Sequence, residues 1–419
     1  MSWLITQRAL MIDGGRRLDS ESRIRMNVHS DNRTDTIFQD PNAAMGKSGS
    51  GSLHALLPLL TFKAAFFVVA LVMVQFLSTW NTGDFRIVRH WPLKGEATLV
   101  SHFATWDGAH YLFVAQYGYL KGDQSCAFYP LWPMLIKLGS VFTGGNLFVA
   151  GLVLANLFFI AAILLFRRLI TEWHGLEMAN TATLLLLAFP GSIFFSFIYT
   201  ESLFLFLIVL FFYFLFRNDC LGVAIVGFFL PLTKAIGIFC VAPLLWHLYS
   251  NRRPAREALA VFGLIAGYVG YFAIMYFFTG NAFEGFEAQR FYPTKPSISK
   301  IIDLRLNAMA FFFIGNFPVS AVNILNRIFF ASLLITLPWI WQLNKTYFVY
   351  AVFAGIVPAF SALYFSYTRN VVTCFPFFLA LAGYLVARGS HRLKWFLILL
   401  FCGLETFLLY YYVNCKFAG

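Results

Sequence analysis

Long apolar runs recur along this chain from Leu56 to the C-terminal end. Many of them reach the roughly 20 residues that an α-helix needs to cross a bilayer. Hydrophobic residues make up 59% of the chain and charged residues only 12%, whereas soluble domains average about 25% charged residues. The sequence therefore predicts an all-α fold, a polytopic transmembrane helical bundle.

The formal net charge of +12 does not indicate a nucleic-acid partner. Residues 1–55 contain seven basic and six acidic residues, so the excess lies in the short loops between apolar runs, where Lys and Arg orient helices. Residues 1–55 lack a standard secretory signal and end in "GKSGSGS", which is typical of a flexible linker. We predict a disordered cytosolic tail over 1–55 and a transmembrane domain over 56–419.

Basic residues beside the apolar runs predict about eleven spans, with basic loops on the cytosolic side. The run over 221–248 begins and ends beside basic loops, and Pro231 and Lys234 interrupt it, so it is predicted to be a broken helical hairpin. A large first non-cytosolic loop is predicted over 80–145 and a second loop over 280–306. The predicted spans cover about 56–79, 147–166, 178–189, 193–216, the two arms of 221–248, 259–279, 319–342, 347–365, 371–387 and 395–413.

This topology places several distant polar motifs on one side of the membrane, opposite the basic loops. They are "TWDG", "FPGS…YTES", "LTK", "FEAQR" and "SYTR". We expect their polar side chains to share one non-cytosolic layer.

Asp107 is the strongest candidate for a catalytic residue. If the residues after it are helical, His110 and Tyr111 lie three and four positions on and share its face. We predict that both side chains contact the substrate. A carboxylate there could act as a general base towards a substrate hydroxyl. The alternative is that Asp107 only caps the helix.

Ionisable residues inside apolar segments are costly and usually indicate a partner or a function. Glu201 is predicted to lie about 12 Å inside its span, at about 1.5 Å per residue. Lys234 and Arg369, joined by Arg290, are predicted to bind an anionic headgroup. The alternatives are a structural ion pair for Glu201, Lys234 and Arg369 and a solvated loop charge for Arg290.

Other chemistries find little support in the sequence. No metal-ligand spacing is present among the six Cys, and no phosphate-binding or zinc-protease motif is found, so we expect no cofactor. A disulfide between Cys126 and Cys415 is possible. Tyr129 and Trp132 are predicted to belong to an interfacial aromatic belt, in a re-entrant or surface-lying segment, and Asp84 is predicted to be a loop charge.

Four motifs together resemble one enzyme family. "ATWDGAHYLFVAQYGY", "CAFYPLWPMLIKL", "LAFPGSIFFSFIYTESLFLFL" and "LPLTKAIGIFCVAPLLWHL" resemble, in order and spacing, the glycosylphosphatidylinositol mannosyltransferase II family, phosphatidylinositol-glycan class V. The resemblance covers most of 98–248, and "YTRNVVTCFPFFLALA" is similar to a late family segment. Lys234 departs from it, because family members often carry Arg there.

The resemblance implies a GT-C membrane glycosyltransferase. It implies that Asp107 is the catalytic base, that Glu201 lines the site, and that a polyprenyl-phosphate sugar, typically a mannose donor, reacts by inverting single displacement. The implied partners are membrane lipids, the lipid-linked donor and a glycan or glycolipid acceptor, with a partner subunit possible. The implied membrane is that of the endoplasmic reticulum or the bacterial plasma membrane.

Two other classes of function fit parts of the pattern. Many spans, a broken helix and intramembrane charges also suit a transporter or lipid flippase. A non-catalytic subunit of a membrane complex is the third possibility. Against transport, the chain shows no repeat that relates its two halves, and its polar motifs are predicted to lie at one face.

Overall fold

The protein is built from helices. The computed structural model describes residues 51–78, 90–93, 98–292, 298–312 and 321–418. Within these ranges there is no β-strand, which confirms the predicted all-α class. The first helix begins at Gly51, inside the segment assigned to the tail. The rest of the tail and Asp84 lie outside the described residues.

The α-helices of the described ranges are numbered in chain order. They are α1 Gly51–Leu77, α2 Leu99–Phe103, α3 Asp107–Tyr117, α4 Leu131–Gly139, α5 Leu147–His174, α6 Leu176–Ala188, α7 Glu201–Phe216, α8 Cys220–Thr233, α9 Val241–Ser250, α10 Val261–Thr279, α11 Glu284–Glu287, α12 Ile298–Ile302, α13 Leu304–Phe312, α14 Ala321–Leu343, α15 Lys345–Ala351, α16 Val357–Ser361, α17 Tyr367–Val371, α18 Phe375–Arg388 and α19 His391–Val413.

Five segments of the described chain are long and apolar enough to cross a membrane. The other six predicted spans correspond to shorter apolar helices, so the count of about eleven stays a prediction. The five long segments are Leu56–Leu77, Leu147–His174, Ala255–Thr279, Ala321–Leu343 and His391–Val413.

The predicted span 193–216 is not one continuous helix. A 3₁₀ turn over Pro190–Phe195 precedes a non-helical stretch, and α7 begins only at Glu201. Proline disfavours the α conformation in the residue before it, and Phe189 is accordingly extended, with φ −64° and ψ 137°. Glu201 therefore lies at the start of a helix, and its predicted position eight residues inside one is wrong.

The predicted broken hairpin over 221–248 is confirmed. Lys234 follows the last residue of α8 with extended backbone, φ −152° and ψ 147°, and a 3₁₀ turn then leads into α9. His247 Nε2 lies 3.3 Å from Asn218 Oδ1, so the end of α9 returns beside the start of α8. Lys234 consequently lies at the tip of the hairpin.

Close helix contacts depend on small residues. A Cβ at Gly263 of α10 would lie 2.1 Å from the carbonyl oxygen of Ala224 in α8, and a Cβ at Gly267 would lie 2.2 Å from that of Phe228. Small residues at such positions let helix backbones approach closely in membrane bundles. This contact holds α10 against the hairpin arm that ends at Lys234.

The first loop contains a helix with one apolar face outside the core. Met134 and Leu138 of α4, followed by Val141 and Phe142, are exposed, which fits the predicted surface-lying segment. Trp132, however, is fully buried, so its assignment to an interfacial belt is wrong. Its indole packs in the main hydrophobic cluster.

The possible disulfide between Cys126 and Cys415 is not formed, because both residues are free thiols. Cys126 donates to the carbonyl of Leu120, and Cys415 Sγ lies 3.2 Å from Thr105 Oγ1. Burial raises the pKa of the Cys126 thiol to about 11, which keeps it protonated at neutral pH.

Candidate functional site

Four charged residues from distant parts of the chain meet in one cluster. Arg369 Nη1 pairs with Asp107 Oδ2, and Arg369 Nε pairs with Glu201 Oε1. Lys234 Nζ donates to the same Glu201 oxygen at 2.8 Å. We call these four residues the ionic cluster. Asp107, Glu201, Lys234 and Arg369 thus lie together as predicted, and their placement on the non-cytosolic side stays a prediction.

Helix ends position the members of the ionic cluster. Asp107 and Glu201 are the first residues of α3 and α7, and Lys234 follows the last residue of α8. The partial positive charge of a helix N-terminus favours a carboxylate, and the negative C-terminus favours a cation. The backbone therefore stabilises the sign of the charge at each of these three positions.

Asp107 is the most accessible member of the ionic cluster. Its side chain is 25% exposed, whereas that of Glu201 is 0% exposed. Among the described residues, Asp107 makes its hydrogen bond through Oδ2, and none is made through Oδ1. The capping alternative is not supported, since Trp106 is the N-cap and α3 has no side-chain cap bond.

Backbone strain precedes Asp107. Trp106 has φ 54° and ψ −127°, and residues other than glycine rarely adopt a positive φ. Such strain persists only where the surroundings impose it, and it is common at functional sites. Gly108, on the other side of Asp107, would place a Cβ 3.6 Å from the carbonyl oxygen of Ile198, so the start of α3 packs against the segment that leads to Glu201.

Glu201 joins the two cations and is the innermost member. Its Oε1 accepts from both Lys234 and Arg369, while its buried Oε2 makes no hydrogen bond within the described chain. The structural alternative was an ion pair with Lys234 or Arg369, and Glu201 forms ion pairs with both residues. Glu201 holds the cations in place and has no exposed surface of its own.

Lys234 and Arg369 keep unused hydrogen-bond donors. An ammonium group has three donors and a guanidinium group five, and within the described chain Lys234 uses one and Arg369 two. Their side chains are 15% and 14% exposed. The Arg369 guanidinium also lies 4.7 Å from the centroid of the Tyr199 ring. The cluster can therefore offer donors to an anion at its open side.

Tyr111 reaches the ionic cluster, whereas His110 points elsewhere. The Tyr111 hydroxyl donates to Thr200 Oγ1 at 3.4 Å, next to Glu201. His110 Nδ1 lies 2.8 Å from Ser125 Oγ and its Nε2 lies 3.4 Å from the Tyr292 hydroxyl. The imidazole also stacks on Phe128 at 4.6 Å, so His110 joins the loop over 80–145 to the loop over 280–306. Its predicted contact with substrate stays a prediction.

Arg290 is not joined to the ionic cluster by any contact of the described residues. Its guanidinium lies 5.0 Å from the ring of its neighbour Phe291. The neighbouring Gln289 donates to the carbonyl of Ala127 at 3.3 Å, so this segment contacts the first loop. The solvated-loop alternative fits these contacts better than an anion-binding role.

Sequence reasoning missed Tyr199 and Thr200 as site residues. Both lie in the quoted "YTES", so their position beside Glu201 was the available signal. Tyr199 is the aromatic platform under Arg369, and Thr200 receives the Tyr111 hydrogen bond. Aromatic faces attract cations most strongly where water is excluded.

The residues of the ionic cluster do not line a cavity that the described residues form elsewhere. This cavity of about 510 Å³ lies between the end of α1 and α2, and Leu71, Gln75, Thr98 and His102 are among its lining residues. No group of three or more His, Cys, Asp and Glu residues suited to a metal ion occurs within the described ranges.

The fold and the ionic cluster define a helical membrane protein with a charged site built from helix ends. Residues 94–251 match the family model described as Mannosyltransferase (PIG-V), which confirms the predicted resemblance and supports the glycosyltransferase class. Asp107, Glu201 and Lys234 lie inside the matched residues, and Arg369 lies outside them.

A curated relative supports the same family. The "GPI alpha-1,6-mannosyltransferase 2" of Mus musculus is 29% identical over 119 residues, which cover 26% of this chain and 24% of the relative. The chain thus spans about a quarter of the length of the curated relative it matches. No solved structure matches the chain.

Proposed function

We propose that this protein is an integral-membrane mannosyltransferase that uses a polyprenyl-phosphate sugar and a glycan or glycolipid acceptor. The observation that carries the proposal is the partly exposed Asp107 carboxylate beside two buried cations. A transferase of this kind needs a base for the acceptor and positive charge for the departing phosphate. The family match over 94–251 supports the sugar.

The proposed reaction is a single displacement. The acceptor hydroxyl oxygen forms a bond to the anomeric carbon while the bond from that carbon to the phosphate oxygen breaks. The electron pair of the broken bond goes to the phosphate, and the hydroxyl proton goes to Asp107 Oδ1. General bases of this kind contribute about 10²- to 10⁴-fold to rate. Attack opposite the leaving group inverts the anomeric centre.

Lys234 and Arg369 stabilise the negative charge that develops on the phosphate. Donors fixed in a site with little water are effective because they need no reorganisation during the reaction. Glu201 holds both cations at one oxygen and thereby orients their remaining donors. Tyr111 and Thr200 add two hydroxyl groups beside the same site.

The membrane of the endoplasmic reticulum or the bacterial plasma membrane is the proposed location, with the ionic cluster on the non-cytosolic face. The mouse relative is named for the glycosylphosphatidylinositol (GPI) pathway, and its substrates motivate a glycolipid acceptor here. A partner subunit is compatible with this arrangement.

The test is an assay of purified protein in lipid nanodiscs with radiolabelled polyprenyl-phosphate mannose, glucose and arabinose, and with a glycolipid acceptor. We expect mannose transfer, release of polyprenyl phosphate and an inverted anomeric centre by NMR. Heat-denatured protein is the control. Transfer from a nucleotide sugar alone, or retention of configuration, would overturn the proposal.

A further inference from the structure

A second pair of ionisable residues lies among the helices, away from the ionic cluster. Lys63 lies on α1 and Glu405 on α19, and each residue is only 6% exposed. Neither belongs to the residues matched by the family model. Charged side chains in membrane helices are costly and usually have a function or a specific partner, so this pair needs an explanation.

Both residues bind the same turn. Lys63 Nζ donates to Ser196 Oγ at 2.7 Å, and its ammonium group lies 3.8 Å from the centroid of the Phe159 ring. From the other side, the Ser192 hydroxyl donates to Glu405 Oε1 at 2.6 Å. We call the segment from Pro190 to Thr200 the site turn.

The site turn leads directly to Glu201. The Ser202 hydroxyl donates back to the carbonyl of Phe195 at 3.0 Å, which fixes the first turn of α7 to the end of the site turn. Asn156 of α5 donates to the carbonyl of Ser196 at 3.1 Å. A shift of Ser196 would therefore move the residue that holds both cations of the ionic cluster.

The same turn also supports Arg369. A Cβ at Gly191 would lie 2.5 Å from the carbonyl oxygen of Thr368, the residue before Arg369. Thr368 is in turn fixed by Asn326 Oδ1, which accepts from its backbone N at 2.8 Å and its hydroxyl at 2.7 Å. Glu201 and Arg369 are thus both positioned by contacts of the site turn.

We propose that Lys63 and Glu405 are positioning residues, which set the ionic cluster through Ser196, Ser192 and the site turn. This inference rests on the proposed transferase function for its kinetic readout. The two residues contact no member of the ionic cluster through the hydrogen bonds and ion pairs of the described residues. Their effect should therefore fall on kcat, which depends on the placing of Asp107 and Arg369, more than on KM.

The test compares Lys63→Met, Lys63→Arg and the double variant Lys63→Met/Glu405→Leu. We expect Lys63→Met to lower kcat by about 100-fold, because misplacing reacting groups by about 1 Å costs that much. KM for donor and acceptor should change less. Lys63→Arg should restore much of kcat, since it keeps the charge and a donor for Ser196.

The double variant separates positioning from a merely structural role. Replacing buried charged residues together by apolar residues is often neutral or stabilising, so the melting temperature should return to that of wild type. The positioning proposal expects kcat to stay low, because Ser196 has lost its bond from Lys63 and Ser192 its bond to Glu405. Recovery of wild-type kcat together with stability would overturn it.

Matched controls lie one or two residues away on the same helices. Thr61→Val and Thr406→Val remove exposed hydroxyls that bond only within their own helices, and both should keep wild-type kcat.

Cryo-electron microscopy of the double variant in nanodiscs tests the proposal without an activity measurement. We expect the ion pair of Arg369 with Glu201 or with Asp107 to be broken. An unchanged cluster would refute the positioning role, whereas an inactive wild type would refute the proposed function alone.

Discussion

Two groups of charged side chains lie among the apolar helices of this chain, and they differ in how water reaches them. The ionic cluster of Asp107, Glu201, Lys234 and Arg369 keeps side chains that are up to 25% exposed. Lys63 and Glu405 are buried, and each is bound to a serine of one turn. The first group is partly exposed and can reach a ligand, whereas the second is buried and fixes the site turn.

The difference indicates how one fold uses intramembrane charge for two purposes. A buried charge must be paired and hydrogen-bonded to be tolerated. Where the charged residue is shut off from water and bound to the site turn, as Lys63 and Glu405 are through Ser196 and Ser192, it can only position. Where one side is open, as at Asp107, the same chemistry can also act on a substrate.

The largest expected effect is that of Asp107→Asn. We expect the variant to fold and to lose transfer by about 10³-fold, within the range for removal of a general base, because an amide cannot take the hydroxyl proton. The measurement is kcat with polyprenyl-phosphate mannose. Asp219→Asn is the matched control: Asp219 caps α8 by accepting from Gly222 N at 2.9 Å, and Asn caps equally well. Equal turnover of the two variants would remove Asp107 from catalysis.

The second expected effect separates the two groups by stability. Glu201→Gln should lower the free energy of unfolding by about 3–5 kcal/mol, because it leaves the largely buried Lys234 without a carboxylate and Arg369 with Asp107 alone. Glu405→Gln should cost no more than about 1.5 kcal/mol, the net worth of an ordinary hydrogen bond, since its amide oxygen still accepts from Ser192. Unfolding by steric trapping in bicelles measures both. If Glu405→Gln lowered the free energy of unfolding more than Glu201→Gln, the expected difference between the two groups would be contradicted.

The smallest expected effect is that of Lys234→Arg. An Arg at the tip of the hairpin could bind a phosphate through two parallel hydrogen bonds, whereas Lys binds it as a point charge. One additional hydrogen bond is worth about 0.5–1 kcal/mol net, so KM for the donor should fall by about two- to fivefold. Lys63→Arg, a cation exchange in the closed group, should leave donor KM unchanged. A rise in donor KM for Lys234→Arg would argue against phosphate binding at this tip.

The sequence predicts the ionic cluster because its residues break apolar runs and because the basic loops assign them to one side. Glu201, Lys234 and Arg369 each interrupt such a run, and the cost of burying them implies a common partner. The hairpin break at Lys234 was predictable for the same reason, aided by Pro231. Arg290 lies in a polar loop, where a charge costs nothing, so its position could not be inferred.

Other features depend on packing that composition does not reveal. Trp132 was placed in an interfacial belt because Trp is common there, but its indole is buried in the core. The break before Glu201 was missed because the residues from Ile193 to Ile198 are as apolar as a span. Lys63 and Glu405 carried the same signal as Glu201, a charge within an apolar run, and were overlooked.

Gly191 has a consequence for reading variants of this chain. Replacing it by alanine adds one methyl group, alters no charge and removes no hydrogen bond, so scales of chemical similarity would rank the change as harmless. That methyl carbon would lie 2.5 Å from the Thr368 carbonyl oxygen and 3.1 Å from Val372 Cβ, which is a steric clash. Gly191→Ala, a chemically mild substitution, would thus force apart the two segments that lead to Glu201 and to Arg369.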